Sequence, residues 1–131
     1  MSYSIVLGVT GSIAAYKAVE VVSSLMKRGN NITVIMTTNA QRFVHPVTFQ
    51  SMSKNRVITD LFIDTGNYDP NHVSLAEHAD IVVVAPATAN FIGKVVSGIA
   101  DDALTCTVMA ARFPVIIAPA MNDSMYLNPI V

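Results

Sequence analysis

The stretch Asp80-Ile81-Val82-Val83-Val84-Ala85-Pro86 decides the fold class of this chain. Its β-branched residues follow one another without a polar interruption, and alanine and proline end the run. Strands of a parallel sheet show such continuous apolar runs because helices cover both faces of the sheet. The stretch therefore predicts a strand that is buried on both sides.

Three further apolar runs share this character and alternate with helical patterns. Ser4–Val9, Asn31–Met36 and residues 113–118 are short, apolar and bounded by turn-forming residues, which is typical of strands. Residues 13–28 place apolar side chains three and four positions apart, and this spacing predicts a helix that stops at Gly29. The same reasoning predicts helices at residues 47–53, 88–97 and 102–111, and a short strand at residues 56–59.

Strands that alternate with helices form right-handed βαβ units, which bring successive strands into one parallel sheet. We therefore expect an α/β fold with a doubly wound parallel sheet, Rossmann-like and of the flavodoxin type. A length of 131 residues suits one such domain, so residues 1–131 are expected to form a single unit.

The composition excludes several classes of function. A net charge of −1 offers no attraction to nucleic acid or an anionic membrane. The apolar stretches are too short to span a bilayer and no secretory signal pattern is present, so we expect a cytoplasmic protein. Hydrophobic residues make up 52% of the chain and charged residues 13%, which fits burial of both sheet faces and of a subunit contact. Cys106, the one cysteine, lies in the middle of the predicted helix at 102–111 and is expected to be buried in the hydrophobic core.

Small polar residues follow four of the predicted strands, and ligands of doubly wound sheets bind beyond the carboxyl ends of the strands. Gly11 and Ser12 precede a helix, where backbone N–H groups and the helix dipole suit a phosphate. Thr37, Thr38 and Asn39 add neutral donors, which fit a monophosphate better than a triphosphate. The glycines match neither the dinucleotide fingerprint nor the P-loop, and a plain tight turn with a helix cap explains Gly11-Ser12 equally well.

Five motifs in order show a resemblance to a known family. They are GVTGSIAAYKA at residues 8–18, HVSLA at 72–76, PATAN at 86–90, GIADDAL at 98–104 and PAMNDSM at 119–125. Together they resemble the flavin-containing cysteine decarboxylases, and the likeness runs from about residue 5 to residue 129.

The resemblance implies oxidised FMN at a subunit boundary, in a homotrimer or an assembly of trimers. It implies a catalytic role for His72, a grip on the substrate carboxylate by Asn122, and a substrate-binding place for Met125. The residues that it assigns to the phosphate end of FMN are Gly11, Ser12, Ile13, Thr37, Thr38 and Asn39. Those that it assigns to the flavin are Thr88, Ala89, Asn90 and Ala120.

The activity that the resemblance implies is FMN-dependent decarboxylation of 4'-phosphopantothenoylcysteine to 4'-phosphopantetheine in coenzyme A biosynthesis. A cysteine-derived carboxylate loses CO₂ reluctantly, because the carbanion left behind cannot spread its charge. Oxidation of the thiol carbon to a thioaldehyde, with FMN as electron acceptor, makes the decarboxylated product a delocalised enethiolate. An imidazole such as that of His72 suits the acid–base work at neutral pH.

Other functions stay open. The sequence ends at Val131, before the place where the family carries a C-terminal flap with a catalytic cysteine, so we expect only part of the reaction or a truncated copy. One alternative is a decarboxylase of a peptide C-terminal cysteine, and another is a non-catalytic flavin-binding regulatory subunit. A flavin prenyltransferase is less favoured, because the motif at 119–125 belongs to the cysteine decarboxylases.

Taken one at a time, the same residues have ordinary structural explanations. A lone histidine beside a turn-rich loop, such as His72, is usually a surface or capping residue. Asn122 alone would be a helix cap. Asp101 and Asp102 are typical of an acidic pair at a helix N-terminus, and since no Cys, His or Glu accompanies them we assign no metal.

Overall fold

The computed structural model describes residues 2–62 and 78–131, and its central element is a four-stranded parallel sheet. The strands are β1 (Ser4–Val9), β2 (Asn31–Met36), β3 (Ile81–Ala87) and β4 (Val115–Pro119), in the order β2-β1-β3-β4. The helices are α1 (Ala15–Lys27), α2 (Pro46–Ser53), α3 (Ala89–Val96), α4 (Ala103–Ala110) and the short α5 (Asp123–Tyr126), with a 3₁₀ turn at Ala40–Arg42.

The strand order reverses next to β1, and this reversal positions the site. The chain passes from β1 to β2 on one side and later returns to pair β3 with the other side of β1. In doubly wound sheets such a switch point opens a crevice outside the carboxyl ends of the strands.

Helices cover both faces of the sheet, as the apolar runs predict. Leu7 and Val9 of β1 pack with Val34 of β2 against α1 and α2 on one face. Val6, Val82 and Val84 pack against α3 and α4 on the other face. Successive side chains of a strand point to opposite faces, so one apolar run supplies both cores. The doubly wound α/β fold is confirmed.

The ends of the first two helices follow from local chemistry. The predicted helix at 13–28 is confirmed as α1, and it ends before Gly29, whose φ of +85° favours glycine. α2 begins at Pro46, where a missing backbone N–H costs no helical hydrogen bond. The Nδ1 atom of His45 caps this helix by accepting the N–H of Val47 at 3.1 Å.

The strand predicted at residues 56–59 shrinks to one bridge. Ile58 donates its N–H to Val34 at 3.0 Å and accepts the N–H of Met36 at 2.9 Å, and it pairs in parallel with Ile35. The pairing goes no further than Ile58, so the segment adds a single paired residue beside β2.

Two parts of the chain are less buried than the sequence predicts. β4 lies at the edge of the sheet and exposes Ile116 by 50% and Ile117 by 38%. Cys106 is only half-buried, because α4 turns Leu104 and Thr107 into the core instead. The prediction that Cys106 is a core residue is therefore wrong.

The loop predicted at residues 64–71 and the candidate catalytic residue His72 lie outside the described residues. Within residues 2–62 and 78–131, no helix has the length and apolar character that a membrane crossing requires.

Candidate functional site

A cavity of about 220 Å³ lies at the carboxyl ends of β1, β2 and β3, beside the switch point of the sheet. It brings together six of the predicted ligand-binding residues, namely Gly11, Thr37, Thr38, Asn39, Thr88 and Asn90. Three lining residues were not predicted as ligands, namely Thr10, Phe91 and Asp102.

The loop between β1 and α1 offers unpaired backbone donors. Within the part of the chain that the structure describes, the N–H groups of Gly11 and Ile13 have no hydrogen-bond acceptor. Ser12 stabilises the turn instead, since its hydroxyl oxygen accepts the N–H of Ala14 at 3.1 Å. The 13-residue helix α1 begins directly afterwards. Free N–H groups at the positive end of a helix form an anion site.

The segment that follows β2 supplies neutral polar side chains. The Thr37 hydroxyl oxygen accepts the N–H of Ala40 at 3.2 Å, which holds the start of the 3₁₀ turn. Thr38 and Asn39 are exposed, and their side chains have no hydrogen-bond partner in residues 2–62 and 78–131. Both side chains can therefore donate to a ligand.

The loop between β1 and α1 approaches the segment that follows β2 closely at Gly11. A Cβ atom at this position would lie 2.5 Å from the Cβ of Asn39 and 3.1 Å from its carbonyl carbon. Gly11 is thus required for space, and its φ is not among the positive φ angles. The contact brings the anion site and the polar segment after β2 to one wall of the cavity.

The segment that follows β3 is held from two directions. The Thr88 hydroxyl caps α3 by accepting the N–H of Phe91 at 3.2 Å. The N–H of Thr88 donates to the hydroxyl oxygen of Thr10 at 3.0 Å. Ala89 begins α3 without lining the cavity, whereas Asn90 lines it and exposes its side chain.

The electrostatic character of the cavity is neutral to negative. Among the described lining residues, Asp102 is the one with an ionisable side chain. Its Oδ1 atom caps α4 by accepting the N–H of Thr105 at 2.8 Å, which agrees with the predicted place at a helix N-terminus. Asp101 pairs instead with Lys94 at 3.0 Å on the surface. An anionic ligand would have to be held by backbone N–H groups and hydroxyls, not by a cationic side chain.

Ala120 lines a second cavity of about 190 Å³, between α1 and the ends of β3 and β4. Its N–H donates to the carbonyl oxygen of Ala87 at 2.9 Å, which ties the end of β4 to the end of β3. The second cavity is lined by Ala14, Lys17, Ala18, Val21, Ala85, Pro86, Ala118, Pro119 and Ala120. It is mainly apolar, and it has no lining residue in common with the first cavity.

Asn122 and Met125 are exposed and line neither cavity. The Oδ1 atom of Asn122 accepts the N–H of Met125 at 3.0 Å and caps α5. The Nδ2 group of Asn122 has no acceptor within the described ranges, so it remains available as a donor. The structure therefore supports the capping explanation of Asn122 and leaves room for a ligand role.

Thr10 and Asp102 were missed as lining residues because their placement depends on packing. The local sequence around Asp102 predicts only a helix cap, and Asp102 does cap α4. Its place in the cavity wall depends on how α4 packs against the rest of the fold. Thr10 does belong to one of the four polar segments that follow predicted strands, and this position is the sequence signal for it, whereas its burial appears only in the structure.

Cys106 lies outside both cavities, and its thiol donates to the carbonyl oxygen of Ala100 at 3.4 Å. Burial raises the pKa of this thiol, and the carboxylates of Asp102 and Asp101 raise it further. We expect iodoacetamide to alkylate Cys106 more slowly in the folded chain than in the urea-unfolded chain at pH 8, because the thiolate is the nucleophile. Mass spectrometry after timed quenching measures both rates.

The raised pKa also has a consequence for stability. Since the folded state holds the thiol proton more tightly, the free energy of unfolding should fall as pH rises from the pKa of the unfolded thiol to that of the folded one. A Cys106→Ser variant lacks this pH dependence. An alkylation rate in the folded chain equal to that in urea would contradict the expected pKa shift.

Comparison with known proteins gives a consistent result. The flavoprotein family matches residues 1–131. The coenzyme A biosynthesis bifunctional protein CoaBC of Bacillus subtilis is 51% identical over 128 residues, which cover 98% of this chain and 32% of that protein. CoaBC of Borreliella burgdorferi is 47% identical over 127 residues, which cover 97% of this chain and 32% of that protein. The chain thus spans about a third of the length of these curated relatives.

Two solved structures of FMN-dependent cysteine decarboxylases share the fold of this chain. The FMN-dependent cysteine decarboxylase TvaF of thioviridamide biosynthesis superposes with a TM-score of 0.91 at 34% identity, covering 98% of this chain and 79% of that one. The FMN-dependent cysteine decarboxylase SpaF superposes with a TM-score of 0.87 at 36% identity, covering 98% of this chain and 74% of that one.

Proposed function

Because the chain belongs to the flavoprotein family, we propose that it binds FMN and decarboxylates 4'-phosphopantothenoylcysteine to 4'-phosphopantetheine in coenzyme A biosynthesis. The observation that carries the proposal is the cavity at the carboxyl ends of β1, β2 and β3, where six residues with the expected donor chemistry meet. The choice of substrate rests on the matched CoaBC proteins, which are named for coenzyme A biosynthesis.

The residues around the cavity fit FMN. The unpaired N–H groups of Gly11 and Ile13 suit a phosphate, and the missing side chain at Gly11 leaves the approach open. Together with Ser12 and residues 37–39 they would hold the phosphate end. Thr88, Ala89, Asn90 and Ala120 would lie along the flavin, since the bond from the Ala120 N–H to Ala87 holds the end of β4 beside the residue that precedes Thr88.

The chain's own residues would bind and orient the substrate. FMN, when bound, supplies the oxidising power that lets the substrate carboxylate leave as CO₂. Asn122 would donate its Nδ2 hydrogens to the substrate carboxylate while its Oδ1 atom keeps capping α5. His72 would exchange a proton with the substrate through its imidazole, and Met125 would contact the substrate beside Asn122.

We also propose a homotrimer, or an assembly of trimers, with the flavin near a subunit contact. Exposed apolar side chains support this, because Ile13 in the loop before α1 is 79% exposed and Ile116 on the edge strand β4 is 50% exposed. A cavity of about 220 Å³ is also small for a whole flavin nucleotide, so a second subunit would complete the enclosure. A cytoplasmic location belongs to the same proposal.

A peptide with a C-terminal cysteine is the second candidate substrate. It is favoured by the match to TvaF and SpaF, which are FMN-dependent cysteine decarboxylases and of which this chain covers about three quarters.

The decisive experiment records the absorbance spectrum of the purified chain with FMN before and after anaerobic addition of phosphopantothenoylcysteine. We expect flavin bands that bleach on addition and recover once a product lighter than the substrate by one CO₂ has formed. Lasting bleaching should instead accompany a product lighter by one CO₂ and two hydrogens, because the two electrons then stay on the cofactor and the reaction stops at the enethiol. Bleaching only with a peptide that ends in cysteine would favour the second substrate. Flavin bands that respond to neither compound would indicate a binding subunit, and failure to bind FMN would overturn the proposal.

A further inference from the structure

Thr10 links the loop between β1 and α1 to the segment that follows β3, and the proposed cofactor would lie between these two segments. Its hydroxyl donates to the carbonyl oxygen of Pro86 at 2.6 Å and accepts the N–H of Thr88 at 3.0 Å. Its own N–H adds a bond to the same Pro86 oxygen at 3.3 Å. One side chain at the end of β1 therefore makes hydrogen bonds on both sides of Ala87, where β3 ends.

The position of Thr10 makes these bonds hard to replace. Thr10 is 1% exposed, so water cannot take over the role of its hydroxyl. Without the hydroxyl, the carbonyl oxygen of Pro86 would keep the N–H of Thr10, but the N–H of Thr88 would lose its acceptor. A backbone N–H that loses its partner is costly, so the segment around Thr88 would have to shift to find another acceptor. The hydroxyl thus determines how far residues 88–90 lie from Gly11.

The two segments that Thr10 links have different tasks. Gly11 belongs to the loop with unpaired N–H groups, and Thr88 and Asn90 belong to the opposite part of the cavity wall. A ligand that contacts only one segment would tolerate a change in their spacing. A ligand with a phosphate at one end and a flavin at the other would not.

We propose that Thr10 is a positioning residue that sets the distance between residues 10–14 (the phosphate loop) and residues 88–90 (the flavin loop). This distance would in turn set the preference for FMN over riboflavin. The proposal rests on the proposed function, because it presumes that FMN occupies the cavity. It concerns binding alone and requires no catalytic turnover.

The test compares Thr10→Val with the wild type in fluorescence titrations of FMN and of riboflavin. Valine keeps the branched shape but lacks the hydroxyl. We expect the Kd for FMN to rise roughly 10- to 100-fold, the loss that is typical when a residue that hydrogen-bonds to a ligand-binding residue is removed. The Kd for riboflavin should rise less than about threefold. Thr10→Ser keeps the hydroxyl and should restore the FMN affinity to within about threefold of the wild type.

Thr107→Val is the matched control. Thr107 is fully buried, donates its hydroxyl to the carbonyl oxygen of Ala103 within α4, and lines neither cavity. Equal weakening of FMN and riboflavin by Thr10→Val, or unchanged FMN affinity, would overturn the proposal. If Thr10→Val does not fold, Thr10→Ala removes the hydroxyl with a smaller side chain: a lowered FMN-to-riboflavin affinity ratio then supports the proposal, and an unchanged ratio overturns it. Wild-type protein that binds no FMN would overturn the proposed function instead.

Discussion

Gly11→Ala is expected to raise the Kd for FMN roughly 10- to 100-fold, because the loop would lose a backbone hydrogen bond to the phosphate, and a hydrogen bond to a charged group contributes roughly 1.5–3 kcal/mol. The new Cβ would lie 2.5 Å from the Cβ of Asn39 and 3.3 Å from its Cα, distances at which backbone must move. The movement would separate the unpaired N–H of Gly11 from the polar side chains after β2. Overpacking should also lower the free energy of unfolding by about 1–3 kcal/mol.

Gly93→Ala serves as the control for Gly11→Ala. Gly93 lies within α3, and no atom outside the local backbone of this helix lies within 4 Å of the position that a Cβ would take. Alanine there should leave the FMN affinity unchanged and raise the free energy of unfolding by roughly 0.5–1 kcal/mol. Fluorescence titration and urea unfolding measure both variants. An FMN affinity of Gly11→Ala within threefold of the wild type would show that the phosphate does not bind at this loop.

Asn122→Asp is expected to lower kcat/KM for phosphopantothenoylcysteine by at least about 100-fold while FMN binding stays intact. Aspartate caps a helix as well as asparagine does, so the bond to the Met125 N–H at 3.0 Å should persist. The substitution replaces the free Nδ2 donor by a second carboxylate oxygen, which repels a substrate carboxylate. A residue that acts only as a cap would show no such loss.

Asn122→Ser separates charge repulsion from loss of the amide donor. Serine also caps helices, but it adds no charge, so we expect a smaller loss of kcat/KM, of roughly 10-fold. Steady-state kinetics under anaerobic conditions and thermal unfolding give the two readouts. Wild-type turnover in Asn122→Asp would refute the substrate-binding role and leave Asn122 as the cap of α5.

The secondary structure was predictable wherever a long local pattern was present. Asn31–Met36 and Ser4–Val9 were found to the residue, because uninterrupted apolar runs identify strands of a covered parallel sheet. The predicted strand at 56–59 failed beyond Ile58, since its pairing depends on a neighbour and not on its own residues. Cys106 was misplaced because helical spacing alone does not say which side of α4 meets the sheet.

The sequence predicted many of the residues of the candidate site, but it did not predict how they are arranged. Six of the expected residues share one cavity. The motifs at 8–18 and 86–90 contain three of them, and the polar cluster at 37–39 after β2 supplies the other three. Ser12, Ile13 and Ala89 belong to the same segments but do not line this cavity, while Ala120 lines the neighbouring cavity. The roles assigned to Asn122 and Met125 remain predictions, and so does that of His72, which lies outside the described residues.

The sequence by itself determined the strand and helix order and the parallel sheet covered on both faces, and its motifs led to the family. These properties follow from patterns that span fewer than about 20 neighbouring residues. Only the tertiary structure decided that Thr10 joins segments 76 and 78 residues away, and that Gly11 must lack a side chain beside Asn39. Such contacts depend on how strands pair and how closely their loops pack, and no local pattern encodes a distance between loops.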